Sequence, residues 1–156
     1  MTKIPTLVTG ALLASCLVSG CGGGTSGYCD AVRADAQTLT NFTSPSVQPD
    51  FRKIPAFLSD AKQLQAKAPE EVADDWSVII SALQSLSDGL QDAGMTYAQF
   101  AVFLGTGKLP PDVTQARTAG LALKYQQLGA DIVTKAANDI TAHAADACKV
   151  DLTRKG

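Results

Sequence analysis

Histidine and tryptophan occur once each in these 156 residues, and only 6% of the chain is aromatic. With His143 alone there is no pair of histidines for a zinc site of the H-E-x-x-H kind. No G-x-S-x-G turn presents a serine nucleophile either. Charge is also sparse: thirteen basic and fifteen acidic residues leave a net charge of −2, and the basic ones stand singly apart from Arg52-Lys53 and Arg154-Lys155. A nucleic-acid surface needs Lys and Arg clustered against phosphates, so that partner class is excluded, and nothing here draws the chain to anionic lipid. Sustained β alternation and internal repeats are absent, and no apolar run reaches the ~20 residues that cross a bilayer as a helix.

Two local patterns invite chemistry and fail on detail. Gly105-Thr106-Gly107-Lys108 suggests a phosphate loop, but Val102 stands where the first glycine belongs and Leu109 where the metal-binding hydroxyl belongs. Glu70, Glu71, Asp74 and Asp75 crowd one helix start without the alternate spacing and glycine turn of a calcium loop. They read as charge complementing the positive end of a helix.

What the sequence does have is a leader. Lys3 precedes a mostly apolar stretch from Leu7 to Val18 that closes on small residues before a cysteine, the layout of a secretory signal. Leu17-Val18-Ser19-Gly20-Cys21 resembles a bacterial lipobox. That resemblance implies a signal peptide over residues 1–20, cleavage just before Cys21 and a diacylglycerol on its thiol. Leu13-Ala14-Ser15-Cys16 fits the same pattern. Cutting there would shorten the apolar segment to about seven residues and leave an odd number of cysteines, whereas cutting at Cys21 leaves one pair. The membrane is then a partner through the diacylglycerol on Cys21, whose two acyl chains hold stably where one holds marginally. The implied location is the outer face of the cytoplasmic membrane, exported and lipid-anchored.

Residues 21–27 form the lipidated cysteine and a glycine-rich tether, expected to be flexible with a reach of about 12–15 Å. Residues 28–156 make one domain, long enough for a core of its own. Lys3 is the only charged residue of the leader, so the mature chain keeps twelve basic against fifteen acidic residues.

Apolar spacing predicts an all-α domain, an up-and-down bundle of four long helices plus one short helix. Tyr28, Val32, Ala36, Leu39 and Phe42 mark the first helix, and the Ser/Pro-rich residues 44–49 end it. Phe51, Ile54, Leu58, Ala61, Leu64 and Ala68 mark the second, its regular part starting near Pro55. Val72, Trp76, Ile79, Leu83, Leu86 and Leu90 form a heptad-like seam between Pro69 and Gly94. Tyr97 to Leu104 is the short aromatic helix. The last runs from Asp112 to about Ala147, long enough to require a bend near Gly120 or Gly129 or to let a neighbour approach closely there.

Cys29 near the start and Cys148 near the end remain as the pair in an oxidising compartment and are expected to form a disulfide tying the terminal helices. The whole mature chain is similar in layout to small helical lipoproteins of high-GC Gram-positive bacteria: lipobox, glycine tether, Tyr-Cys-Asp near the start, Ala-Pro-Glu-Glu-Val and Asp-Asp-Trp in the middle, Ala-Cys near the end. That resemblance brings location and fold and no assigned activity.

Candidate sites are few. His143 with Asp139 and Asp146 could share a helix face, but nothing completes a metal or base site, so no metal, cofactor or catalytic residue is expected. Trp76, Phe57, Phe100, Phe103 and Tyr125 either fill the core or line a cavity for an apolar ligand. The sequence therefore supports a binding or protein-interaction module of the cell envelope, with a carrier or sensor of an apolar ligand as the alternative and an enzyme third. An internal cavity around Trp76 would favour the carrier, and an exposed groove near Phe100 and Phe103 the interaction module.

Overall fold

The structure, a computed structural model, describes residues 23–43 and 50–153. The expected leader, Cys16 and Cys21 lie outside the described residues, and with them the expected lipidation site. Among the described residues the protein is all-helical: α1 (Gly23–Ala34), α2 (Ala36–Thr43), a 3-10 turn (Phe51–Lys53), α3 (Ile54–Gln65), α4 (Glu70–Ala93), α5 (Tyr97–Thr106), α6 (Gln115–Gln127) and α7 (Asp131–Asp146). None of them is long and apolar enough to cross a membrane.

The fold is built on α4, against which α3, α6 and α7 all pack. Its 24 residues span about 36 Å at 1.5 Å per residue. The seam expected from the sequence is its buried face: Val72, Trp76, Ile79, Leu83, Leu86 and Leu90 are all buried. Pro69 caps the start, where a missing N–H costs nothing. Gly94 stops the helix at φ 69°, with the Gly94 N–H donating to the Gln91 carbonyl and the Met95 N–H to the Leu90 carbonyl. This is a Schellman closure, and it buries Met95. One residue on, Thr96 and Gln99 form a capping box that starts α5.

The expected count of four long helices and one short one does not describe the chain, because two of the long ones are divided. The first bends at Asp35, although helical hydrogen bonds from Asp35 N–H to Ala31 and from Leu39 N–H to Asp35 run through the bend. The last is broken outright at 128–130, around Gly129, into α6 and α7. Gly120 stays helical. The two pieces still run along α4 in the opposite direction: Lys124 pairs with Asp92, Gln127 accepts from Ser85, and the charges of Lys135 and Asp139 act on Asp75.

Neither glycine of the last segment lets a neighbour in closely. The close approach is at Gly89 of α4, where an added Cβ would lie 2.7 Å from Lys124 Cδ and 3.3 Å from Leu121 Cδ1. α1 reaches back to Gly23, into the residues expected as a glycine-rich tether, rather than starting at Tyr28. Thr25, Ser26 and Gly27 are exposed, so that extension is held by local bonding rather than by core packing.

The disulfide is present. Cys29 and Cys148 are bonded with a Cα–Cα distance of 4.9 Å across a separation of 119 residues, joining α1 to the segment just past α7. Arg33 adds a hydrogen bond from Nη2 to the Cys148 carbonyl at 3.2 Å. Lys149 follows with a positive φ of 59°, the only non-glycine residue in that region among those described.

Candidate functional site

An apolar cavity of about 580 Å³ lies on α4 between α2 and α3 on one side and the α6–α7 junction on the other. Its floor is buried: Trp76, Ile79 and Leu83 from α4, with Ile54 and Phe57 from α3 and Ile140 from α7. Its rim is exposed: Tyr125 and Gln126 at the end of α6, Gly129 in the break, Thr134 and Asn138 on α7. A closed inner wall with an exposed edge makes a pocket open at one side.

Each wall follows from local sequence. Trp76 sits mid-seam, so its indole is held in the core, and its Nε1–H donates to the Tyr28 hydroxyl at 3.0 Å. That bond satisfies the one polar atom of the ring and leaves its apolar surface free to face the cavity. Tyr28 is itself fully buried, and burial pushes its phenol above the ordinary tyrosine value, against a smaller lowering by the Trp76 donor. Phe57 stacks on Phe42 of α2, ring centroids 4.2 Å apart and nearly parallel, so α2 supplies an aromatic wall. The α6–α7 break does the rest. A continuous helix would carry its apolar stripe past α4 without interruption, whereas the break places Leu128 and Val133 at the cavity.

Of the five aromatics singled out from the sequence, Trp76, Phe57 and Tyr125 line the cavity; Phe100 and Phe103 do not. Phe100 is buried behind it, edge-on to Phe51 at 5.4 Å and to Tyr125 at 5.5 Å, and so braces two residues that do line it. Phe103 is partly buried at the edge of the core. The correction has a simple cause: α5 packs on the 3-10 turn rather than along α4. Phe42 and Phe51 are the lining aromatics that sequence reasoning missed. Their signal was their position on either side of the Pro/Ser-rich residues 44–49.

The His143 group does not assemble. Asp139 is paired with Lys135, and His143 turns inward, its ring centroid 5.7 Å from that of Tyr28. Its Nε2 is buried without a hydrogen-bond partner among the described residues. No three His, Cys, Asp or Glu side chains converge as metal ligands there. In the acidic start of α4, Asp75 has its carboxyl raised by partial burial first and then by the Asp139 charge, with Lys135 opposing.

A second groove, of about 570 Å³, adjoins the cavity across Phe51 and Tyr125. Ala98, Ala101, Val102 and Leu104 of α5 line it, with the Asp50–Arg52 ion pair at its edge, 2.8 Å apart. Val102 is 59% exposed there.

Comparison with protein-family models, curated proteins and solved structures returns no match. The chemistry of the site has to be read from its own residues.

Proposed function

We propose that the protein is a carrier or sensor of an apolar ligand, held at the outer face of the cytoplasmic membrane by a diacylglycerol on Cys21. The observation that carries this reading is the cavity beside Trp76. Its volume falls within the roughly 300–1,000 Å³ usual for small-molecule sites, and its walls are apolar with a few polar groups at the rim. A concave apolar space of this size bounded by Phe42, Phe57 and Trp76 is suited to hold an apolar group. Its position relative to the anchor supports the same reading. Tyr28, which holds Trp76 in place, follows Cys21 by seven residues, a distance of at most about 25 Å even when extended. A ligand drawn from the membrane would have a short path.

The second reading, a protein-interaction module of the envelope within a bundle of up-and-down helices, is supported by the α5 groove with its exposed Val102 and Leu104. We rank it behind the carrier because the cavity has a buried floor and an uncharged lining, whereas the groove of similar volume is edged by the Asp50–Arg52 ion pair. Catalysis ranks third, as no convergent polar groups surround Asp139 and His143.

Native mass spectrometry of protein purified from an exporting host, followed by denaturation, separates the first two. A stoichiometric hydrophobic compound released on denaturation is the expected result. Protein that is empty as isolated and takes up no added lipid would reject the carrier and turn the search to partners crosslinked at the α5 groove.

A further inference from the structure

We infer that the ligand is an uncharged single-chain amphiphile, one aliphatic or isoprenoid chain ending in a hydroxyl or ester head; this rests on the carrier reading. The argument is one of charge and size. No lining side chain is charged at neutral pH, and the rim presents Gln126, Thr134 and Asn138, amides and a hydroxyl that both donate and accept hydrogen bonds. A wholly apolar ligand would leave those groups unused, whereas a hydroxyl or ester head would meet them.

An anionic head would find no cation among the lining residues; Arg52, beside lining residue Phe51, is already paired with Asp50, and Lys53 does not itself line the cavity. In the first turn of α7, whose Val133 and Thr134 line the cavity, the only acidic or basic side chain is Asp131, which is negative. Further along α7, Lys135 is already paired with Asp139. A cationic head would find no lining carboxylate.

Size suits one chain inside the pocket. At about 30 Å³ for each water-sized group, 580 Å³ holds about twenty such groups, one chain of about 16 to 18 carbons with a small head. A two-chain phospholipid is more than twice that.

Trp76 is the only tryptophan and lines the cavity, so its fluorescence reports occupancy. The test uses the full exported protein in phosphatidylcholine vesicles, with a long-chain alcohol, the matching carboxylate and the matching amine, each brominated mid-chain. At about pH 9 the carboxylate is fully ionised. Vesicles of brominated phosphatidylcholine without ligand measure quenching from the membrane itself. The expected result is quenching by the alcohol with apparent affinity at least about tenfold above the carboxylate and the amine. Equal or tighter binding of either charged ligand overturns this inference and leaves the carrier reading standing. Quenching by none of the three rejects the carrier reading, and the inference with it. In Asn138→Lys, a cation in place of one head-binding amide should raise carboxylate affinity about tenfold relative to alcohol affinity. A folded Asn138→Lys protein with carboxylate affinity unaltered relative to alcohol would overturn the placement of the head at the rim.

Discussion

Around the disulfide, Tyr28, Val32, Ala144 and Cys148 have no exposed surface beyond a trace, while at the α6–α7 junction Leu123 and Ile132 stay 65% and 64% exposed and Tyr125 38%. Both regions are helix surface of the same apolar composition. They differ in whether a second face arrives to cover the first. At the disulfide end, α1 and the end of α7 close over the start of α4 and a covalent bond keeps them there. At the junction the last helix breaks, its two pieces lean on α4 separately, and the gap they leave is the cavity. Apolar periodicity yields packing where helices are continuous and lining where one is interrupted.

The contrast is sharpest in Trp76, which belongs to both regions. Trp76→Ala should cost about 3–5 kcal/mol in chemical denaturation, as for large core truncations, and should leave the Tyr28 hydroxyl without its donor. A loss below about 1 kcal/mol would mean that the closed end is not packed as described. Reducing the disulfide, or Cys148→Ser, should cost about 2–4 kcal/mol; the loop-entropy value near 4.7 kcal/mol for a loop of this length is an upper figure. Thermal unfolding with and without reductant measures it directly.

Tyr28→Phe tests the same end more gently. At neutral pH it should cost about 1–3 kcal/mol because the buried indole N–H loses its acceptor. The pH dependence has a definite sign. Burial raises the folded Tyr28 pKa above the unfolded value of 10.0, so its share of stability is complete below that pH. It is lost as pH rises through the folded value, because the unfolded chain gives up its proton first. Tyr28→Phe should flatten that alkaline loss, and an unchanged slope in pH-dependent unfolding would contradict the burial.

Lys149→Gly should gain at most about 1 kcal/mol, since Lys149, three residues past the end of α7, holds a left-handed conformation unfavourable to a side chain, offset in part by loss of its Nζ hydrogen bond to the Asp146 carbonyl. The smallest effect belongs to the open region. Ile132→Ser should change stability by less than about 0.5 kcal/mol despite removing a large apolar side chain. A loss comparable to the Trp76 truncation would show the junction to be packed after all.

Much of the frame was legible from the residues. The Pro69-to-Gly94 helix, its buried seam, the irregular start before Pro55, and the pairing of Cys29 with Cys148 were all open to reading, because each rests on local spacing, a cap or an arithmetic of cysteines. The break at Gly129 was half legible: a proline-free segment of that length had to bend, but two glycines competed for the place. Gly89 was illegible, since a glycine inside a good helix shows its use only when the identity of the helix opposite is known.

The sequence by itself determined which stretches become helices and which of their faces are apolar, since those properties depend on neighbours three and four positions away. Tertiary structure alone decided which apolar faces are covered. Phe100 became a brace and Phe42 a wall because of where α5 and α2 dock, and docking depends on contacts between residues far apart in the chain. The cavity is a product of that docking: its size is the space left where the broken last helix and the α2–α3 arm meet α4 without filling the volume between them.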